Sequence, residues 1–403
     1  MLGQSLDAMI ASHSRHTLRK VRGYYLINGV AGGIFGPYLS LLFIHNGFNS
    51  TKIGVILSVA TLMGILAQPV WGQIVDRFQM TRSALLVGSL IPALLVAFYN
   101  STWFYMVLFI GVTSSLFSVA QTPIADAYAV RTAREAQTSY STVRIFGSFG
   151  YAVGAYTAGL FLAHISVVFL WLPRAIIGVT TALIALTLPR PTTAIEFKRS
   201  ALTGMQHFLA NRRFLLFLVG GFLLSATLTS YDTYFALAFH DIGGPFDWTG
   251  IAFMIASLSN IPSMLIASKL IVRLGREKTL LLAALAFCTR FAVMAWVKIP
   301  LVDVFIQVLH GASFGFFYIA AVDYVAYISP SDLQATGQSI FGMVCGGIAV
   351  MVGNLFNGIL LHAGGPSLMY GVGVLAAGIA ACCFFVLIVL NHRKNRQILQ
   401  ELH

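Results

Sequence analysis

The chain has 403 residues, of which 58% are hydrophobic, 13% aromatic and only 9% charged. Soluble domains carry about 25% charged residues, so the composition excludes an ordinary globular enzyme and a disordered chain. Long apolar runs between short polar loops, with a mean hydropathy of +0.82, indicate an all-α membrane protein that crosses the bilayer many times.

At roughly 20 residues per transmembrane helix plus loops, the length accommodates about twelve spans and no sizeable extramembrane domain. The predicted spans are 23–45, 53–75, 83–99, 103–129, 138–163, 166–188, 213–239, 247–272, 279–298, 301–328, 335–361 and 367–391. A polar segment, 1–22, precedes the first, and no short apolar core with a cleavage site argues for a signal peptide. The stretch 189–212, with Pro189, Arg190, Pro191, Lys198 and Arg199, is the longest polar connection and divides the spans into bundles 23–188 and 213–391. A short tail, 392–403, closes the chain. Cys288, Cys345, Cys382 and Cys383 all fall in apolar segments without metal spacing, and are expected to be buried, reduced packing residues.

The net charge is +12, which in a soluble protein would suggest a nucleic-acid partner. Here it sorts by loop. Placing both termini on one side puts nineteen of the twenty-five Lys and Arg residues there, and the opposite side receives only Lys52 and Lys298. By the positive-inside rule both termini are cytoplasmic, in a multi-pass protein of the cell (inner) membrane. The excess charge reports topology, and no nucleic acid is needed.

An internal repeat supports the six-plus-six division. A shift of about 196 residues matches Tyr38 to Tyr234, Gly54 to Gly250, Leu62 to Leu258 and Arg77 to Arg273. Asp126 falls near Asp323, and Ile145-Phe146-Gly147 near Ile340-Phe341-Gly342. Because six is even, both halves enter from the same side, which makes the repeat parallel.

Charges inside spans are costly, about 2.5–3.5 kcal/mol each on insertion scales, and point to function by default. Asp126 in span 4 and Arg144 in span 5 flank one loop at similar depth, close enough for an ion pair. Its role is either functional or a helix-to-helix tie. Asp232, Arg290 and His310, in spans 7, 9 and 10, lie roughly 10–14 Å below the outer surface at 1.5 Å per residue. A carboxylate, a guanidinium and an imidazole at one depth can form a proton-linked network. Asp323 faces Ser339 in place of an arginine, and is either a second protonation site or a group reaching cytoplasmic water. Arg174 and Lys269 lie near span ends, where long side chains snorkel. Gly29-xxx-Gly33, Gly150-xxx-Gly154 and Gly342-xxx-Gly346 are pairs that let helices approach closely. Tyr25, Tyr151 and Tyr231 could stack on a sugar ring or an aromatic substrate, or simply fill the core.

These residues carry a resemblance. Gly72, Asp76-Arg77 and Arg82, after span 2, resemble the loop signature of the major facilitator superfamily, whose charges latch the two halves when the cytoplasmic side is closed. The second copy, Ser268 to Lys278, keeps Arg273 and Lys278 but has Val272 in place of the acid. Span 5 (Val-Arg144-Ile-Phe-Gly-Ser-Phe-Gly-Tyr151), Pro123-Ile-Ala-Asp126 and Leu309-His310-Gly-Ala-Ser-Phe resemble the lactose-permease and phenylpropionate-permease branch. So does the twenty-residue spacing from Arg290 to His310. The resemblance implies two six-helix pseudo-symmetric bundles, with sugar-binding roles on Asp126, Arg144 and Tyr151, and binding and proton coupling on Arg290 and His310. The chain departs from lactose permease at Ser313 (a proton-carrying acid there), Gln307 (a lysine), Gly346 and Gly347 (a lysine), and Ser257 and Asn260 (an acid). The coupling proton must then travel by other groups, with Asp126, Asp232, His310 and Asp323 as candidates.

The expected activity is secondary active transport, a proton-coupled symport that takes up a small polar solute. Sugar or oligosaccharide comes first, and an aromatic or small carboxylate second. Substrate-binding candidates are Arg144, Asp126, Tyr151, Arg290 and Tyr231, since guanidinium forks suit hydroxyls and carboxylates. A drug or metabolite/proton antiporter is the alternative, though the Gly-Pro and Arg-x-x-Gln-Gly motifs of that class are missing. A membrane-embedded enzyme would need a nucleophile–base pair or metal cluster that the spacing does not offer. A solute sensor would need an output domain larger than the central loop. No cofactor or metal is called for beyond the proton gradient. The partners are the substrate, protons and the lipid bilayer, and the expected state is a monomer.

Overall fold

The structure is a computed structural model that describes residues 2–119, 121–189, 206, 208, 210–330 and 333–401, with side chains described over the same residues except 2–15, 76, 335 and 392–401. Arg190, Lys198 and Arg199 of the predicted central connection lie outside the described residues, as does the side chain of Asp76.

Backbone N–H and C=O groups find no water in a bilayer, so spanning segments satisfy them internally as helices. Among the described residues eleven helical stretches are long and apolar enough to cross. The first ten are α1 His16–His45, α2 Ser50–Val75, α3 Thr81–Asn100, α4 Phe104–Glu135, α5 Ser141–His164, α6 Val167–Thr187, α7 Arg212–Asp241, α8 Phe246–Leu274, α9 Arg276–Trp296 and α10 Pro300–Ile328. The last stretch, Thr336–Asn391, has 56 residues, far more than the roughly 20 that one crossing needs. It breaks at Gly364 and Gly365, where Gly365 takes φ +68° and Pro366 follows. A positive φ suits glycine, and proline starts the next helix without needing its N–H. The break separates α11 (336–363) from α12 (366–391). The chain is a twelve-helix membrane protein, all-α, as its sequence predicts.

By packing, the chain divides into two compact units. One comprises Met1–Lys52, Val59–Lys198 and Pro245–Met254, and the other Ile53–Ser58, Arg199–Gly244 and Ile255–His403.

In the first unit α1 lies along α5, and the two predicted glycine pairs make this possible. A Cβ on Gly150 would stand 2.1 Å from the Leu26 carbonyl oxygen, and one on Gly154 2.3 Å from that of Val30. From the other side, a Cβ on Gly29 would meet the Gly147 carbonyl oxygen at 2.3 Å, and one on Gly33 that of Tyr151 at 2.2 Å. The backbones are in contact, as small-xxx-small pairs allow. Around this seam Val21, Tyr24, Leu85, Ala129, Val143, Ala185 and Leu188 form the unit's buried core.

In the second unit the equivalent seam joins α7 to α11, but not where the third glycine pair predicts. Nothing lies within 4 Å of a Cβ at Gly342 or Gly346. The close approach is at Gly353, 2.3 Å from the Ala226 carbonyl oxygen. The 196-residue shift puts Ser225 and Thr229 where the first half has Gly29 and Gly33, so α7 lacks the glycine pair of α1. The freed segment, Gly342–Ile348, runs as a π-helix. Aromatic stacking fills this unit: Phe217 on Tyr324 at 4.8 Å, and Phe291 on Tyr370 at 5.9 Å. The four cysteines are free, but only Cys345 and Cys383 are buried; Cys288 is half-buried and Cys382 exposed, contrary to the expectation that all are buried.

Candidate functional site

In the first unit, the predicted Asp126–Arg144 pair forms, with Arg144 Nη1 at 3.4 Å from Asp126 Oδ1. Two tyrosines join it. Tyr25 donates to the same oxygen at 2.5 Å from α1, and Tyr140 donates at 2.7 Å from the turn before α5. Both phenols therefore hold one carboxylate oxygen, while the guanidinium contact is long and the two charged side chains are 52% and 34% exposed. Such an exposed ion pair contributes little to stability, about 1 kcal/mol or less, so a polar solute can displace it cheaply. Tyr25, which could stack on a substrate or fill the core, holds Asp126 through its hydroxyl. Tyr151 lies two turns beyond Arg144, and its ring rests over Gly32 of α1.

A second polar layer adjoins these groups, and the sequence analysis did not single it out. Gln121 Nε2 reaches Tyr24 Oη at 2.8 Å, Asn28 Oδ1 at 3.1 Å and Ser89 Oγ at 2.7 Å. An amide nitrogen has two hydrogens, so at most two of these bonds carry full strength at once. The network ties α1, α3 and α4 behind Tyr25.

In the second unit, Arg290 is fully buried and makes no ion pair among the described residues. Its Nε and Nη2 donate to Gln307 Oε1 at 3.0 and 2.5 Å. Its guanidinium carbon lies 4.0 Å from the centre of the Tyr231 ring, and the other side of this cluster is His310, whose ring is 5.0 Å from Tyr231. Of the predicted trio at one depth, Arg290 and His310 are thus gathered on Tyr231. Asp232, the next residue of α7, is exposed and within electrostatic reach of Arg290, without a bond to it. After His310 the helix widens into a π-turn, Gly311–Gly315, where Gly311 N–H donates to Ser259 Oγ at 3.0 Å. Such π-segments are frequent at functional sites.

Gln307 and Asp303 are the groups sequence reasoning missed here. Gln307 was noted only as a substitution, and Asp303 not at all. The available signal was their spacing with His310, at i, i+4 and i+7, which puts all three on one face of α10.

Asp323 has a cationic partner that the sequence reading did not supply. Arg276 at the start of α9 binds it, and the Arg276 guanidinium also covers the Tyr327 ring at 4.5 Å. The cation lies inside the second copy of the loop signature, at a position that the sequence reading did not single out. Around the predicted latch, a Cβ at Gly72 would meet nothing within 4 Å, so no close approach requires that glycine. Arg77 is exposed and lies over its neighbour Phe78 at 5.5 Å, and Arg82 is half-buried. No group of three His, Cys, Asp or Glu among the described residues could hold a metal ion.

Comparison with known proteins agrees with this architecture. Residues 18–372 match the model described as "MFS_1 like family". The chain is 31% identical over 345 residues to the maltose permease of Geobacillus stearothermophilus, covering 84% of this chain and 86% of that one. It is 23% identical over 352 residues to the probable 3-phenylpropionic acid transporter of Escherichia coli, covering 85% and 91%. Among solved structures, the nucleoside transporter NupG superposes with a TM-score of 0.79 at 17% identity, over 93% of this chain and 98% of that one, which is a likeness of fold. With a family model spanning most of its length and relatives that are permeases and transporters rather than enzymes, the chain belongs to the MFS_1 like family, within the major facilitator superfamily of membrane transporters.

Proposed function

We propose that the protein is a proton-coupled sugar symporter that takes up a mono- or oligosaccharide by alternating access. The observation that carries this reading is the Asp126 site: one carboxylate oxygen held by Tyr25, Tyr140 and Arg144, with the charged pair half exposed. Carboxylate and guanidinium together offer a polyhydroxylated solute an acceptor and planar donors, and their weak mutual contact lets a solute's hydroxyls replace it. The names of its relatives support the same class: besides the maltose permease, a melibiose permease and a raffinose permease align over 72% of the chain. Arg290, Tyr231 and His310 would contribute the second part of the binding and coupling apparatus. The excess of basic residues on one set of loops supports cytoplasmic termini in a cell membrane.

A nucleoside is the competing substrate, since a putative nucleoside transporter and a xanthosine permease are also relatives. Uptake into proteoliposomes separates the two. Labelled maltose, melibiose, raffinose, uridine, xanthosine and 3-phenylpropionate would be offered under an imposed inward proton gradient. The expected result is accumulation of at least one sugar, collapsed by an uncoupler. Accumulation of the nucleosides alone would overturn the substrate class. Accumulation that an uncoupler leaves unchanged would overturn the coupling.

A further inference from the structure

The second unit contains a buried polar cluster of which the binding reading uses only Arg290, Tyr231 and His310, leaving Asp303, Gln307 and Tyr370 without a role. Asp303, Gln307 and His310 share one face of α10, and none is more than 7% exposed. Against them lie Tyr231 from α7, Arg290 from α9 and Tyr370 from α12, each buried. Gln307 is fully engaged: its Oε1 receives Arg290, and its Nε2 donates to the Asp303 carbonyl oxygen at 2.8 Å. The groups around it are not. Arg290 Nη1, Asp303 Oδ1, His310 Nδ1 and Tyr370 Oη are all buried without a hydrogen-bond partner among the described residues.

Buried polar atoms without partners are rare in native proteins, and each calls for an explanation. Four of them occur here around one fully buried guanidinium. Asp303 and Tyr370 lie within electrostatic reach of Arg290 and of each other. A purely structural counter-charge would sit in contact with the arginine, because a buried pair is favourable only with close geometry and its remaining bonds made. Asp303 is not within ion-pair distance of Arg290. A carboxylate in this setting has two accessible states. Ionised, it balances Arg290 across the cluster; protonated, it becomes a neutral acid and leaves the arginine as the net charge. Tyr370 from α12 faces it, and the other ionisable groups around Arg290 are Tyr231 and Asp232 from α7 and His310 on the same helix as Asp303. Ser313, next along from His310, donates to the His310 carbonyl oxygen at 3.0 Å and is no carrier of protons.

We propose that Asp303 is a proton-binding site, located near the end of α10 that the loop charges place outermost, and held beside Arg290 and Tyr370. The step is the reversible protonation of its carboxylate to the carboxylic acid, with the proton drawn from the outer medium. This rests on the proton-coupled reading above for its role in transport, though not for the protonation itself.

Two measurements test it. An infrared pH titration of the purified protein in lipid vesicles follows the carbonyl stretch of protonated carboxyl groups. A component present in the wild type is expected to disappear in Asp303→Asn, to persist in Asp232→Asn, and to change its midpoint by half a pH unit or more in Tyr370→Phe, a variant that keeps Asp303. A wild-type titration that superimposes on that of Asp303→Asn, or a midpoint unmoved in Tyr370→Phe, overturns the proposal. In proteoliposomes, uphill accumulation of labelled maltose in Asp303→Asn is expected to fall at least ten-fold relative to counterflow in the same vesicles; an unchanged ratio overturns the coupling role. If wild-type accumulation resists an uncoupler, the symport reading fails, and the infrared titration still decides whether Asp303 binds the proton.

Discussion

Arg290 lays its guanidinium on the face of Tyr231, 4.0 Å from its carbon to the ring centre, in a place where it is fully buried and has no carboxylate partner among the described residues. A desolvated cation over an aromatic ring gains about 2 kcal/mol, which here partly offsets the missing ion pair. The ring face carries this attraction. Tyr231→Phe is therefore expected to keep thermal stability within about 0.5 kcal/mol, while Tyr231→Leu loses about 2 kcal/mol. Unfolding of the detergent-purified variants measures the difference, and equal loss in both would remove the cation–π contact from the account.

Gln307 is the other support of that charge. Both of its functional atoms are committed, accepting twice from Arg290 and donating to Asp303 O. Hydrogen bonds to a charged group are worth about 1.5–3 kcal/mol, and a buried charge left without them is worse. Gln307→Leu should lower stability by about 3 kcal/mol and reduce the yield of folded protein. Gln307→Glu keeps the acceptor and adds a counter-charge but loses the donor to the Asp303 carbonyl oxygen, so it should be destabilised less than Gln307→Leu. A Leu variant as stable as wild type would show that Arg290 finds another acceptor.

The glycines of the first helix seam separate sharply from those of π-helical α11. A Cβ at Gly150 would stand 2.1 Å from a backbone carbonyl oxygen, which cannot swing aside. Gly150→Ala should force α1 and α5 apart and cost several kcal/mol, in the range of overpacked cores, about 1–3 kcal/mol or more. Gly346→Ala meets nothing within 4 Å, and should stay within about 0.5 kcal/mol of wild type. Melting temperatures of the two variants, compared side by side, check both statements.

What could be read from the residues follows a physical divide. Spans, their number and the Asp126–Arg144 pair were legible, because lipid makes apolar length and buried charge expensive to misplace. The glycine pairs of α1 and α5 were legible for the same reason, since only glycine allows that approach. Gly342-xxx-Gly346 looked alike but meets no neighbour within 4 Å, the close approach falling at Gly353, and a one-chain pattern does not weigh the facing helix. Tyr140 and Gln121 are neutral and common, so nothing in composition marks them until the fold brings them to Asp126 and Tyr24. Arg276 was hidden from Asp323 by the repeat, which aligned each acid with its own half and pointed to Ser339 as the facing residue.

The first-unit site gives the test that most directly separates function from packing. Arg144 and Asp126 are half exposed and 3.4 Å apart, so neither contributes more than about 1 kcal/mol to folding through the pair. Removing either should leave the unfolding temperature nearly unchanged. On the sugar-symport reading, the same changes should damage uptake severely, because the two groups are the donor fork and the acceptor that meet the solute's hydroxyls. Arg144→Lys is informative beside Arg144→Ala: it keeps the charge but not the planar fork, and should still lose at least ten-fold in initial uptake of labelled maltose. Asp126→Asn keeps an oxygen that can accept from Tyr25 and Tyr140, so its fold should persist while uptake falls by a similar factor. Tyr140→Phe removes one of the two phenols that hold Asp126 Oδ1 and should raise the half-saturating maltose concentration more than it lowers the maximal rate. Variants that lose stability in step with transport would make the cluster a structural tie between α4 and α5.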